Sequence, residues 1–183
     1  KSLNEINKIR NFFLVIVATT AENRDLLLKK ISIKIRNWII EKPLCTSINQ
    51  LGFIEKKFKH SNNAYINMPR ENWKVYKYIK KILKNEQVVM TVTGNNWNLA
   101  SNCFHFFRLF EWINNSKIKD IDVDKINSWF RSKRKKYYEA EGEINANLID
   151  GSNCILNSCK TTDNKKTYLV KMVSPKKKII FNE

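Results

Sequence analysis

The chain has 183 residues, 43% of them hydrophobic, with only 4 Gly and 3 Pro. This excludes a disordered tail and leaves room for one medium domain or two small ones of roughly 80 to 90 residues. A formal net charge of +17 points to an acidic or phosphate-bearing partner, but 27 Lys stand against 7 Arg beside 24 Asn, a bias that AT-rich coding sequence produces without selection for charge. Four cysteines without a Cys-x-x-Cys pair, and only His60 and His105 beside them, argue against zinc and against a disulfide framework, so no metal and no cofactor is expected.

Leu3, Ile6, Ile9, Phe13 and Ile16 keep helical spacing and predict a first helix over 2–19. Its apolar run Phe12 to Ala18 falls far short of the roughly 20 residues of a membrane span and is read as core. A second helix is predicted over 23–41, capped by Asn23 and stopped by Lys42-Pro43, with Leu27, Ile31, Ile35, Trp38 and Ile39 on one face. Thr46 or Ser47 can cap a short helix through Ile48, Leu51 and Ile54, and Tyr65 and Ile66 sit in a loop or edge strand. Pro69 opens a helix to about Asn85, its outer face carrying Lys74, Lys77, Lys81 and Lys84. Val88 to Thr93 is a β-run, Gly94-Asn95-Asn96 is turn chemistry, and Trp97 to Leu99 is read as a returning strand.

A second series follows in the same order. A helix starting at Asn98 or Ser101 is apolar nearly all round through Phe106, Phe107, Phe110 and Ile113, hence central, and Ile118 to Ile121 can form a short strand. From Asp122 or Asp124, the spacing of Val123, Ile126, Trp129, Phe130 and Tyr137 predicts a helix whose other face holds Arg131, Lys133, Arg134, Lys135 and Lys136. Residues 143–150 are a candidate third helix, and Cys154 to Lys160 with Thr167 to Val173 read as a β-hairpin tipped by Lys165 and Lys166. The fold class is therefore α+β, mostly helical, as tandem winged helix-turn-helix domains: residues 1–99 with an extra N-terminal helix, and residues 100–183.

The candidate nucleic-acid or partner-binding residues are Arg131, Lys133, Arg134, Lys135 and Lys136 on the basic helix, Lys165 and Lys166 on the hairpin tip, and Trp97 as a stacking platform. Each has a plainer reading, as a solvated helix face, a polar turn and a core tryptophan. No Gly-x-x-x-x-Gly-Lys-Ser/Thr, His-Glu-x-x-His or Gly-x-Ser-x-Gly motif occurs, and the chain is read as a non-enzyme. Glu141, Glu143 and Asp150 would repel phosphate from the segment that should enter a groove, which favours protein docking.

This layout resembles the C-terminal tandem winged-helix region of the small OB-fold subunit of the CST telomere complex, in its ciliate telomerase-associated version, itself similar to the middle subunit of replication protein A. The resemblance implies a non-enzymatic accessory region at nuclear telomeres that supports complementary-strand synthesis through protein contacts. Its partners would be other CST or telomerase subunits and polymerase α-primase, with weak non-specific nucleic-acid binding, no membrane, and a monomeric fragment. The alternative is a stand-alone winged-helix protein binding duplex DNA in transcription or replication initiation, viral origin included.

Overall fold

The computed structural model describes residues 5, 11–31, 34–59, 61, 63–134, 137–162 and 165–183. The chain divides into two compact units, Lys1–Met68 and Pro69–Glu183, so the division does not fall near residue 100.

The first unit alternates strand and helix: β1 (Asn11–Val17), α1 (Arg24–Lys30), β2 (Lys34–Ile40), α2 (Ile48–Phe58) and β3 (Asn63–Ile66). The strands form one parallel sheet in the order β1-β2-β3. The helix predicted over 2–19 is corrected from Asn11 onward, Glu5 being helical and residues 2–4 and 6–10 lying outside the described residues, and the helix predicted over 23–41 is corrected beyond Lys30. A parallel strand is covered on its faces and reads as a near-continuous apolar run, which spacing alone does not separate from a buried helix. The β-branched and aromatic residues of Phe12-Phe13-Leu14-Val15-Ile16-Val17 decide for strand. The second predicted helix is real only as far as Lys30, and Trp38 and Ile40 belong to β2, buried with Val17, Leu28 and Ile54. Ser47 caps α2 as read, accepting from the Gln50 N–H at 3.3 Å while Gln50 Oε1 accepts from the Thr46 N–H at 2.8 Å.

The second unit opens with a 3-10 turn (Pro69–Asn72) and α3 (Lys74–Ile82), then β4 (Val89–Asn95) and α4 (Leu99–Asn114). Six strands complete it: β5 (Ile118–Asp122), β6 (Ile126–Arg131), β7 (Tyr138–Leu148), β8 (Asn153–Cys159), β9 (Thr167–Val173) and β10 (Lys178–Asn182). They make a seven-stranded sheet in the order β10-β9-β4-β8-β7-β5, with β6 also on β7. The helix from Asn98 is central as predicted: Cys103, Phe106, Phe107, Phe110 and Ile113 bury one side of it against Met90, Val92, Ala146, Leu156 and Val170.

The tandem winged-helix assignment is overturned here. Strands at Cys154 and Thr167 do form, but they are not a hairpin, because β4 lies between β8 and β9, parallel to the first and antiparallel to the second. The stretch predicted as the basic helix, from Asp122 or Asp124 to Tyr137, is the turn at Val123–Lys125 that leaves β5, then β6, then the described residues of the β6–β7 turn. Asp122 Oδ1 accepts from the Asp124 N–H at 2.8 Å, which closes a local turn instead of capping a helix. Burial then alternates, with Ile126, Ser128 and Phe130 half-buried between exposed Asn127, Trp129 and Arg131, the period of a strand. Residues 143–148 continue β7 with the same alternation, Ile149 and Asp150 are in the turn that follows it, and Trp97 sits in a turn rather than in a returning strand.

Candidate functional site

In open parallel α/β sheets ligands lie outside the carboxyl ends of the strands, where the chain leaves the sheet and can be cut to fit them. In the first unit those ends are Thr19 after β1, Glu41-Lys42-Pro43 after β2 and Asn67 after β3. Pairing runs to the last residue, with the Glu41 N–H on Val17 O at 3.0 Å and the Asn67 N–H on Ile40 O at 2.7 Å. The three exits therefore leave from one level.

Arg24, at the start of α1, holds two of them together. It is 1% exposed, and its Nη1 donates to the carbonyl oxygens of Glu41 (2.6 Å), Pro43 (2.6 Å) and Leu44 (3.0 Å), while Nη2 donates to Thr19 O. A guanidinium offers five donors in a fixed plane, so one side chain can satisfy several loop carbonyls that would otherwise be orphaned. Asn67 Nδ2 donates to Glu41 Oε1 and ties the third exit to the second. Lys42, between two of the residues whose carbonyls Arg24 holds, precedes a cis proline and is half-buried. The loop thus presents a primary amine, able to give or take a proton, on a backbone fixed from below.

The same residues do not fit a dinucleotide. That cofactor needs a glycine-rich first turn so that backbone N–H groups approach its pyrophosphate at a helix N-terminus. The β1–α1 connection, Ala18-Thr19-Thr20-Ala21-Glu22-Asn23, has no glycine, α1 is only 7 residues long, and the Arg24 guanidinium binds the turn's own carbonyl. The unit's one glycine, Gly52, lies inside α2.

Other charged clusters are structural. Arg70 bonds Glu183, reaches the Tyr168 hydroxyl at 3.4 Å and stacks 4.4 Å from the Phe106 ring centroid. Burial, and then the hydrogen bond it gives Glu183, push the Tyr76 hydroxyl far up, so it stays protonated and ties α3 to the C-terminal residue. Burial raises the Cys154 thiol, with Cys103 nearby adding to it, which makes Cys154 inert rather than nucleophilic.

The residues singled out in the sequence are placed as follows. Trp97 is 0% exposed, donates to Asn157 O at 2.9 Å and packs edge-on to Phe106, so it is core and not a stacking platform. Arg131, Lys133 and Arg134 are exposed at the β6–β7 turn, and Lys165 and Lys166 are exposed between β8 and β9, at the same end of the sheet. Lys135 and Lys136 lie outside the described residues. Arg24, Glu41, Lys42 and Asn67 went unread. The available signal is a charged pair, Glu41-Lys42, directly after the apolar run Trp38-Ile39-Ile40, and within a helix reading Lys42-Pro43 marks only a stop.

No protein-family model matches the sequence, and no curated protein does. Solved structures do match. A probable dehydrogenase from Thermotoga maritima superposes with a TM-score of 0.73 at 12% identity, over 98% of this chain and 60% of that one. A myo-inositol 2-dehydrogenase from Lactobacillus plantarum gives 0.68 at 13% identity, over 97% and 59%. A myo-inositol dehydrogenase from Lactobacillus casei, in complex with NAD(H) and myo-inositol, gives 0.70 at 13% identity, over 98% and 57%. The chain therefore has the fold of these α/β oxidoreductases and spans about 60% of the length of the first of them. This likeness overturns the resemblance to a CST subunit and, with it, the non-enzymatic telomere function, the DNA-binding role, and the CST, telomerase and polymerase partners.

Proposed function

We propose that the chain is a module of an oxidoreductase of the dehydrogenase kind, and that its first unit receives a hydroxyl- or carbonyl-bearing substrate at the carboxyl ends of β1–β3. Lys42 is the residue that handles the proton. When a carbinol carbon is oxidised its hydroxyl proton has to leave, and when a carbonyl is reduced a proton has to arrive; an amine within hydrogen-bond reach of that oxygen serves both directions. The observation that carries this reading is the Arg24 clamp on the carbonyls of Glu41, Pro43, Leu44 and Thr19, because it fixes the backbone on either side of Lys42. Glu41, engaged by Asn67, orients the exit loop and leaves the proton to Lys42.

The polar groups around the exits, Thr19, Thr20, Glu41 and Asn67, suit a ligand with several hydroxyls, and two of the similar structures are named as inositol dehydrogenases. Cyclic polyols are thus the substrate class. The residues present hold no dinucleotide, so the chain's own share of the reaction is substrate binding and proton transfer. Calorimetric titration with myo-inositol tests this: wild type should bind saturably, Lys42→Ala should lose binding at least about tenfold, and Lys42→Arg should keep most of it. Absence of polyol binding by wild type, or binding that Lys42→Ala leaves unchanged, contradicts the reading.

A further inference from the structure

The helix α3 has two unlike sides. Tyr76 and Ile79, with Leu83 just past its end, bury one side in the core of the second unit. The other side carries Lys74, Lys77 and Lys81, continued by Lys84, at spacings of three and four residues that align them in one exposed stripe. Among the described residues none of these four ammonium groups has a carboxylate partner. Lys80, by contrast, is used inside the fold: its Nζ donates to Trp112 O and lies 4.2 Å from the centroid of the Trp112 ring. The two acids that flank α3 in sequence are occupied, Glu71 by Arg108 at 3.3 Å and Glu86 by Lys177 at 3.4 Å. Lys177 also donates to Ile82 O, which joins the β9–β10 turn, with Lys176, to the end of α3. Apolar groups stand exposed on the same helix: Trp73 at its N-cap is 42% exposed, Val75 43% and Tyr78 64%.

We propose that this side of α3 docks on a bilayer surface that contains anionic phospholipid. Exposed lysines respond to the negative potential of such a surface as point charges, without needing one fixed partner geometry. Tryptophan and tyrosine, each an apolar ring with a polar tip, settle at the headgroup level, and flexible lysine stems reach past them to the phosphates. A helix side that mixes unpaired lysines with Trp73, Val75 and Tyr78 meets both requirements, whereas a side that only solvates its helix needs no exposed rings. Nucleic acid is the poorer match. Its phosphates and bases favour the arginine fork, and the arginines nearest α3 in sequence, Arg70 and Arg108, are bound to Glu183 and Glu71. The contact is peripheral, since among the described residues no helix is long and apolar enough to cross a membrane.

The proposal is independent of the polyol site, and it is tested by co-sedimentation of the whole chain with lipid vesicles. Vesicles of equal parts phosphatidylcholine and phosphatidylserine should carry the chain down and phosphatidylcholine alone should not, with the bound fraction falling as salt is raised. Lys77→Gln combined with Lys81→Gln should weaken binding at least about tenfold, because each lysine near such a surface is worth about fivefold. Tyr78→Ser should weaken it while leaving its dependence on salt as in wild type. Lys165→Gln combined with Lys166→Gln removes the same charge from the loop between β8 and β9 and should leave binding within about twofold of wild type. Thermal melting of each variant shows that it is folded. A wild type that does not bind the mixed vesicles overturns the proposal. So does an equal loss in the two double variants, which would make the contact a matter of net charge alone. A duplex oligonucleotide bound through Lys77 and Lys81 more tightly than the vesicles would make this a nucleic-acid surface and overturn it as well.

Discussion

Arg24 shows how a single buried cation can organise a site. Its guanidinium replaces the water that the carbonyls of Thr19, Glu41, Pro43 and Leu44 would otherwise bind, and those carbonyls belong to two different exits from the sheet. Shortening the group to a point charge loses the fork, so Arg24→Lys should behave as a disruptive change. We expect a loss of about 3 kcal/mol or more from the first unit, since hydrogen bonds to charged groups are worth about 1.5–3 kcal/mol each and Arg24 makes several of them. Trp38, the only tryptophan in Lys1–Met68, reports this unit's urea transition directly; a shift worth less than about 1 kcal/mol would mean that the clamp is dispensable.

A second residue-scale prediction concerns acid. The Lys125 ammonium, hydrogen-bonded to Glu143, holds that carboxyl below its usual range, with burial opposing and Asn145 assisting. A depressed folded-state value means stability that is present above the unfolded carboxylate value, about 4.3, and lost as pH falls through the folded one. Stability measured by urea titration should therefore fall below about pH 4 in wild type and fall less steeply in Glu143→Gln. Equal acid slopes in the two proteins would remove Glu143 from the account.

At the scale of elements, the β6–β7 pairing depends on one glycine. Gly142 has φ +117° and lies where a Cβ would come within 2.4 Å of Lys125 O and 2.6 Å of Asn127 N, beside the register shift between Ile126 and Ser128. Gly142→Ala should cost about 1–3 kcal/mol or more from backbone strain alone and should speed amide exchange in Ile126–Arg131 before the rest of the sheet. Exchange that stays as in wild type would show that the bulge can relax.

The elements also show what can be read from this sequence. The Ser47 cap, the buried helix from Asn98 and the β-runs of β4, β8 and β9 are signalled by local chemistry and are present, whereas Pro69 opens a 3-10 turn and the helix expected from it starts only at Lys74. Two kinds of information were not local. The spacing of Ile126, Trp129 and Phe130 is that of a helix face, and only pairing with β7 makes the stretch a strand, with Trp129 on the opposite face from the other two. That β4 inserts between β8 and β9 depends on contacts more than 50 residues apart in sequence, as in the pairing of Val89 with Asn153, so two adjacent β-runs read naturally as a hairpin. The site was legible only in part. Glu41-Lys42 after Trp38-Ile39-Ile40 marks a strand exit once β2 is known to be a strand, but as the end of a helix it marks nothing.

The whole molecule consists of a small parallel unit that carries Lys42 at a strand exit and a larger unit built on a seven-stranded sheet. The first has its own core around Leu28, Trp38 and Ile54, and the second its own around Phe106, Phe110 and Leu156. A substitution at Lys42 should thus leave the second unit's melting unchanged. The central claim, that Lys42 meets the substrate, is tested most directly by carbon NMR of the chain labelled at its lysine ε positions, with each resonance assigned by substitution and myo-inositol titrated in. The account predicts that the Lys42 resonance shifts saturably while those of Lys74, Lys77 and Lys81 on α3 stay fixed; a Lys42 resonance that does not move at any polyol concentration would contradict it.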